Sequence, residues 1–119
     1  MTKRRSIKDY LQDILDTIAA IEQFTDNVDF EEFSHNTEKI FAVSRAFEII
    51  GEAVKNVPDS IRAQNQNVPW RDIAGMRDKL IHGYFDTDVE VIWKAAIEEI
   101  PQLRRTVLKI LKQLKQVEQ

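Results

Sequence analysis

The sequence predicts an all-α domain, and three observations carry that expectation. Apolar residues recur at steps of three and four along most of the 119-residue chain. Only three glycines and three prolines punctuate it, and no Asn-Gly or Gly-Asn hairpin pair occurs. The β-branched residues are scattered among good helix formers instead of gathering in alternating runs. A chain of this length can bury about 65% of its unfolded surface, enough for one core. Residues 1–119 are therefore read as a single domain, expected to be a four-helix, up-and-down bundle with a short additional motif helix.

The first helix is announced by Ser6 and Asp9, spaced as a capping box. Ile7, Tyr10, Leu11, Ile14, Leu15, Ile18, Ile21 and Phe24 then supply its apolar stripe. Thr25, Asp26 and Asn27 make a turn, and Asp29 with Glu32 can cap a short turn over residues 30–33. A second long helix follows from about Asn36 to Val57 and ends at Pro58. Ile40, Phe41, Ala42, Val43, Phe47, Ile50 and Val54 form its apolar side. On the same helix Arg45, Glu48 and Glu52 fall at spacings of three, four and seven, so they share one polar stripe. Such a stripe is most simply a solvated ion-pair face, with Glu52 facing the motif as the alternative. His35, among polar residues near a helix start, reads as a surface histidine.

Residues 58–69 form a polar connection pegged by Ile61. Val68, Pro69 and Trp70 open a third, shorter helix whose buried side is Trp70, Ile73, Met76, Leu80 and Ile81. Asp86, Thr87 and Asp88 mark the last start, followed by Val89, Ile92, Trp93, Ala96, Ile97 and Ile100. Pro101 removes one helical hydrogen bond and predicts a kink there. Beyond it Leu103, Val107, Ile110, Leu114 and Val117 form a seam for a partner helix, with Arg105, Lys109 and Lys112 on the solvated side.

Several function classes are excluded at once. Without cysteine there is no disulfide, thiolate catalysis or cysteine-ligated zinc. Apolar runs such as residues 40–43 are only four residues long, so no spanning segment or signal-peptide core is visible and the cytoplasm is the expected compartment. No glycine-rich phosphate loop or metal-ligand spacing appears, and no cofactor is expected. The net charge of −3 argues against a long nucleic-acid grip, although residues 102–119 carry five basic residues against Glu118 and could steer RNA weakly.

The chemistry-bearing residues concentrate in residues 77–84: Arg77, four residues, His82, one residue, Tyr84. On a helix Asp78 and His82 stand one turn apart, with Arg77 on the adjoining face. His82 has the side chain suited to proton transfer near neutral pH, and Arg77 offers a planar fork of donors to phosphate. Asp78 could accept a hydrogen bond from one ring nitrogen of His82 and fix its tautomer. Gly83 suits a helix end and would free Tyr84 to stand beside the site. The bland alternative is a chance cluster on a solvated face, with Tyr84 a packed tyrosine at a helix end.

Four blocks occur in order: residues 47–53, Phe-Glu-Ile-Ile-Gly-Glu-Ala; residues 68–70, Val-Pro-Trp; residues 73–77, Ile-Ala-Gly-Met-Arg; and residues 82–84, His-Gly-Tyr. With them the chain resembles the HepT-like toxins of the HEPN superfamily over nearly its whole length. The resemblance implies a HEPN-like bundle and a toxin of a type II-like toxin–antitoxin system. It implies a metal-independent endoribonuclease with Arg77 and His82 as catalytic residues, and Asp78 and Glu52 are read as residues that position them. It further implies a cognate minimal nucleotidyltransferase antitoxin that adds AMP to Tyr84, and a homodimer, able to enlarge into a hetero-oligomer with the antitoxin, whose composite site cleaves RNA. The rival reading is a non-catalytic helical partner of a nucleotidyltransferase.

Overall fold

A computed structural model of the chain describes residues 5–82 and 88–118, without the side chains of residues 81, 82 and 118. Among the described residues the architecture is all-α, as the sequence predicts, and contains no strand. The order is α1 (Ile7–Thr25), α2 (Phe30–Ser34), α3 (Thr37–Lys55), α4 (Asp59–Ala63), α5 (Trp70–His82), α6 (Val89–Lys94), a π-helical turn (Ala95–Glu99) and α7 (Ile100–Glu118).

The helix starts follow from side chains that satisfy otherwise orphaned backbone donors. Ser6 Oγ accepts from the Asp9 amide while Asp9 Oδ2 accepts from the Ser6 amide, completing the expected capping box. Asp29 caps α2 through the Glu32 amide, and Asn36 caps α3 through the Lys39 amide. The apolar stripes then meet in one core. Leu11, Ile14, Ile18 and Ile21 come from α1, Val43, Phe47, Ile50 and Val54 from α3, Ile73 and Leu80 from α5, and Leu103, Val107 and Ile110 from α7. Full burial of each such large side chain stabilises the fold by about 1.5–3 kcal/mol.

Three departures from the sequence reading have physical causes. Residues 58–69 are not a bare loop, because Pro58 opens the short helix α4 and Gln64 closes it, with Asn65 just beyond donating from Nδ2 to the Ile61 carbonyl. The Trp70 indole donates to the Asn65 carbonyl at 2.9 Å, which makes this buried tryptophan an anchor for the connection. The adjustment to Pro101 is made one turn upstream, where the Ile100 amide bonds the Ala95 carbonyl five residues back. The helix continues through the proline, Ala95 and Ala96 take the inner side, and Ile97, expected in the apolar face, is 46% exposed. The seam on α7 fades at its end, since Val117 is 84% exposed.

Arg105, Lys109 and Lys112 lie on the exposed side as expected, and His35 is exposed, with Nδ1 2.8 Å from the Glu31 carbonyl oxygen. Arg104 on α7 lies 3.7 Å from Glu22 of α1, so part of the basic tail faces an acidic partner within the bundle. No helix among the described residues is long and apolar enough to cross a membrane.

Candidate active site

The site grows out of the contact between α3 and α5. At Gly51 the helices approach so closely that a Cβ would lie 2.6 Å from the Cβ of Arg77 and 3.3 Å from the Ile73 carbonyl oxygen. Only hydrogen fits there. Glu52, the next residue, brings its Oε2 to 3.0 Å from Arg77 Nε. Arg77 Nη1 donates to Asp78 Oδ1 at 3.2 Å, and Lys55 Nζ donates to the same oxygen at 3.2 Å. Glu52, Arg77, Asp78 and Lys55 thus form one chain of charge-assisted contacts between the two helices.

All four side chains reach solvent, Arg77 least at 30% exposed, so each pair adds at most about 1 kcal/mol to stability. Their effect is geometric, because a guanidinium gripped through Nε and Nη1 has few orientations left. Asp78 is held below the usual carboxylate range, chiefly by the hydrogen bond from Lys55, which together with the charge of Lys55 and the hydrogen bond and charge of Arg77 outweighs the opposing cost of desolvation.

Arg77 also lines a cleft of about 340 Å³ between α1, α3 and α5. Helix α1 contributes Tyr10 and Asp13, and α3 contributes Arg45, Glu48, Ile49 and Glu52. The Arg45–Glu48–Glu52 stripe therefore divides: Arg45 Nη1 pairs with Glu48 Oε2 within α3 at 3.0 Å, while Glu52 reaches across to α5. Arg5 places its guanidinium 5.0 Å from the Tyr10 ring centroid and ion-pairs with Asp13.

Of the residues singled out from sequence, the structure brings Arg77, Asp78 and Glu52 together. Helix α5 extends to His82, but the His82 side chain lies outside the described residues, and so do Gly83, Tyr84 and the expected Asp78–His82 hydrogen bond. The sequence reading missed Lys55, Tyr10 and Asp13. Lys55 stands one helical turn beyond Gly51 and three residues beyond Glu52, so the local signal was a face shared with the motif's neighbours. Tyr10 was assigned only to an apolar stripe, and nothing local ties it to a residue 67 positions later.

Comparison with known proteins gives the family. A 50% identical relative from Thermococcus cleftensis, named "Probable ribonuclease HepT", aligns over 92% of this chain and 99% of its own length. A 44% identical relative from Methanocaldococcus jannaschii, named "Putative RNase MJ0125", aligns over 95% of this chain and 97% of its own. No solved structure matches. Residues 14–110 match the family described as "Ribonuclease HepT-like", and the chain belongs to that family.

Proposed function

We propose that this protein is a metal-independent endoribonuclease and the toxin of a toxin–antitoxin pair. The observation that carries the reading is the guanidinium of Arg77, oriented by Glu52 and Asp78 in the lining of a cleft, five positions before His82 on the same helix. Relatives named as ribonucleases give the reaction class. In such cleavage a base removes the proton of the ribose 2′-hydroxyl and the 2′-oxygen attacks phosphorus. The 5′-oxygen then leaves with a proton from an acid, giving a 2′,3′-cyclic phosphate and a 5′-hydroxyl. Arg77 stabilises the charge that builds on the phosphorane oxygens, and His82 moves the protons.

One chain supplies one motif imidazole, whereas the reaction needs a base and an acid. A symmetric homodimer with its axis near the motif provides two copies of Arg77 and His82 and resolves the shortage. Its natural inhibitor is a minimal nucleotidyltransferase that transfers AMP to Tyr84. The phosphodiester so formed competes for Arg77 as a tethered mimic of the RNA backbone. The chain's net charge of −3 favours the alternative of a non-catalytic partner of that nucleotidyltransferase.

Purified protein incubated with RNA in excess chelator separates the two readings. Cleavage to cyclic-phosphate ends, abolished in His82→Ala with the fold retained by circular dichroism, is expected. Cleavage that persists in folded His82→Ala sinks the catalytic assignment, and intact RNA with the wild type leaves the binding reading in its place.

A further inference from the structure

We infer that the cleft between α1, α3 and α5 is a nucleobase subsite that receives the donor edge of a guanine next to the scissile phosphate; the inference rests on the ribonuclease reading for its ligand being RNA. The cleft, about 340 Å³, falls within the range of about 300–1,000 Å³ of small-ligand pockets and includes Arg77 in its lining.

Its charge selects what it can hold. Three carboxylates, Asp13, Glu48 and Glu52, face three guanidinium groups, since Arg45 and Arg77 line the cleft with them and Arg5 pairs with Asp13. The guanidinium groups beside Asp13 and Glu48 are already engaged, and a phosphate there would compete with those carboxylates. A neutral group rich in N–H donors can use the acceptor capacity that the pairs leave. Glu48 is engaged by Arg45 through Oε2, and an ionised carboxylate has about four lone-pair sites, so acceptor capacity remains on a side chain only 21% exposed.

Among the four bases guanine alone presents two parallel donors, N1–H and N2–H, to match the two oxygens of a carboxylate. Adenine and cytosine offer an amino group beside a ring acceptor, and uracil offers one N–H between two carbonyls. The unpaired ring acceptors and carbonyls of those bases would face Glu48 and Asp13, which accept but do not donate. Tyr10 supplies the aromatic surface of the cleft, with the Arg5 guanidinium over one face of the ring, and an aromatic ring beside a hydrogen-bonding edge is how single-stranded RNA bases are held.

Titration of the full-length protein with the four nucleoside 5′-monophosphates, followed by NMR, tests the subsite without requiring catalysis. Wild type is expected to bind GMP at least five-fold more tightly than UMP. Glu48→Gln should abolish that preference, and Tyr10→Leu, which keeps apolar volume at a half-buried position, should weaken GMP binding about ten-fold. Equal affinity for the four nucleotides, or a GMP preference untouched in both folded variants, overturns the subsite. A protein that discriminates bases but never cuts RNA sinks the nuclease reading alone, and one that cuts RNA without discriminating sinks the subsite alone.

Discussion

Gly51 and Arg77 touch with no room between them, a methyl group on the first falling 2.6 Å from the Cβ of the second. Two effects of Gly51→Ala therefore oppose one another. Alanine favours a helix interior by about 0.5–1 kcal/mol, and overpacking a tight contact costs about 1–3 kcal/mol. The clashing atoms are a Cβ and a backbone carbonyl oxygen, neither at the end of a flexible side chain, so overpacking wins. Gly51→Ala is expected to be destabilised by about 1–2 kcal/mol in urea unfolding and to lose most RNA cleavage as Arg77 shifts from Glu52. A more stable and fully active variant would show that α5 can retreat without consequence.

Arg77→Lys keeps the charge and forfeits the fork that now engages Glu52 through Nε and Asp78 through Nη1. Cleavage should fall at least ten-fold. Glu52→Gln tests the positioning role separately. Because the pair is exposed, stability should stay within about 0.5 kcal/mol of wild type, while kcat falls and KM is little changed. Wild-type turnover in Glu52→Gln would show that Arg77 needs no such guide.

Tyr84→Phe removes the hydroxyl to which AMP would be attached. Incubated with the cognate nucleotidyltransferase and ATP, the variant is expected to gain no AMP by mass spectrometry and to remain an active nuclease. An undiminished adduct, or silencing by catalytic amounts of partner, would move the modification to another residue.

The fold was legible because its information is local. The Ser6–Asp9 box, the Asn36 start and the stripes of α1, α3 and α7 each reside within a few residues. The short helix α4 was not, since its five residues carry no full apolar period and its place depends on Asn65 and Trp70 meeting. The site divides in the same way. Arg77, Asp78 and His82 were visible as a motif, and Glu52 as a member of a stripe with two readings. Lys55 and Tyr10 became visible only when α1 and α3 were packed beside α5. Likewise, the sequence flagged Pro101 but not the π turn that precedes it, because the place where a helix widens to accommodate a proline has no side-chain signature of its own.

That π turn ends at Glu99, which lines a second cavity, of about 400 Å³, on the other side of α5 with Arg71, Asp72, Met76 and Lys79. Burial pushes the Glu99 carboxyl above its ordinary pKa, and the charges of Asp72 and Glu98 push the same way. The folded state thus holds this proton more tightly than the unfolded chain. The stability Glu99 contributes is fully present below the unfolded value, about 4.3, and is lost as pH rises through the raised one. Asp78 works in the opposite sense and at lower pH: its contribution is present above the ordinary carboxylate range and disappears as pH falls through its depressed value. Glu99→Gln should therefore unfold at higher urea than wild type at pH 7, with the difference shrinking toward zero as pH falls below about 4.3. A stability difference that is the same at both pH values would mean that Arg71 and Lys79, lining the same cavity, already compensate the partly buried carboxylate.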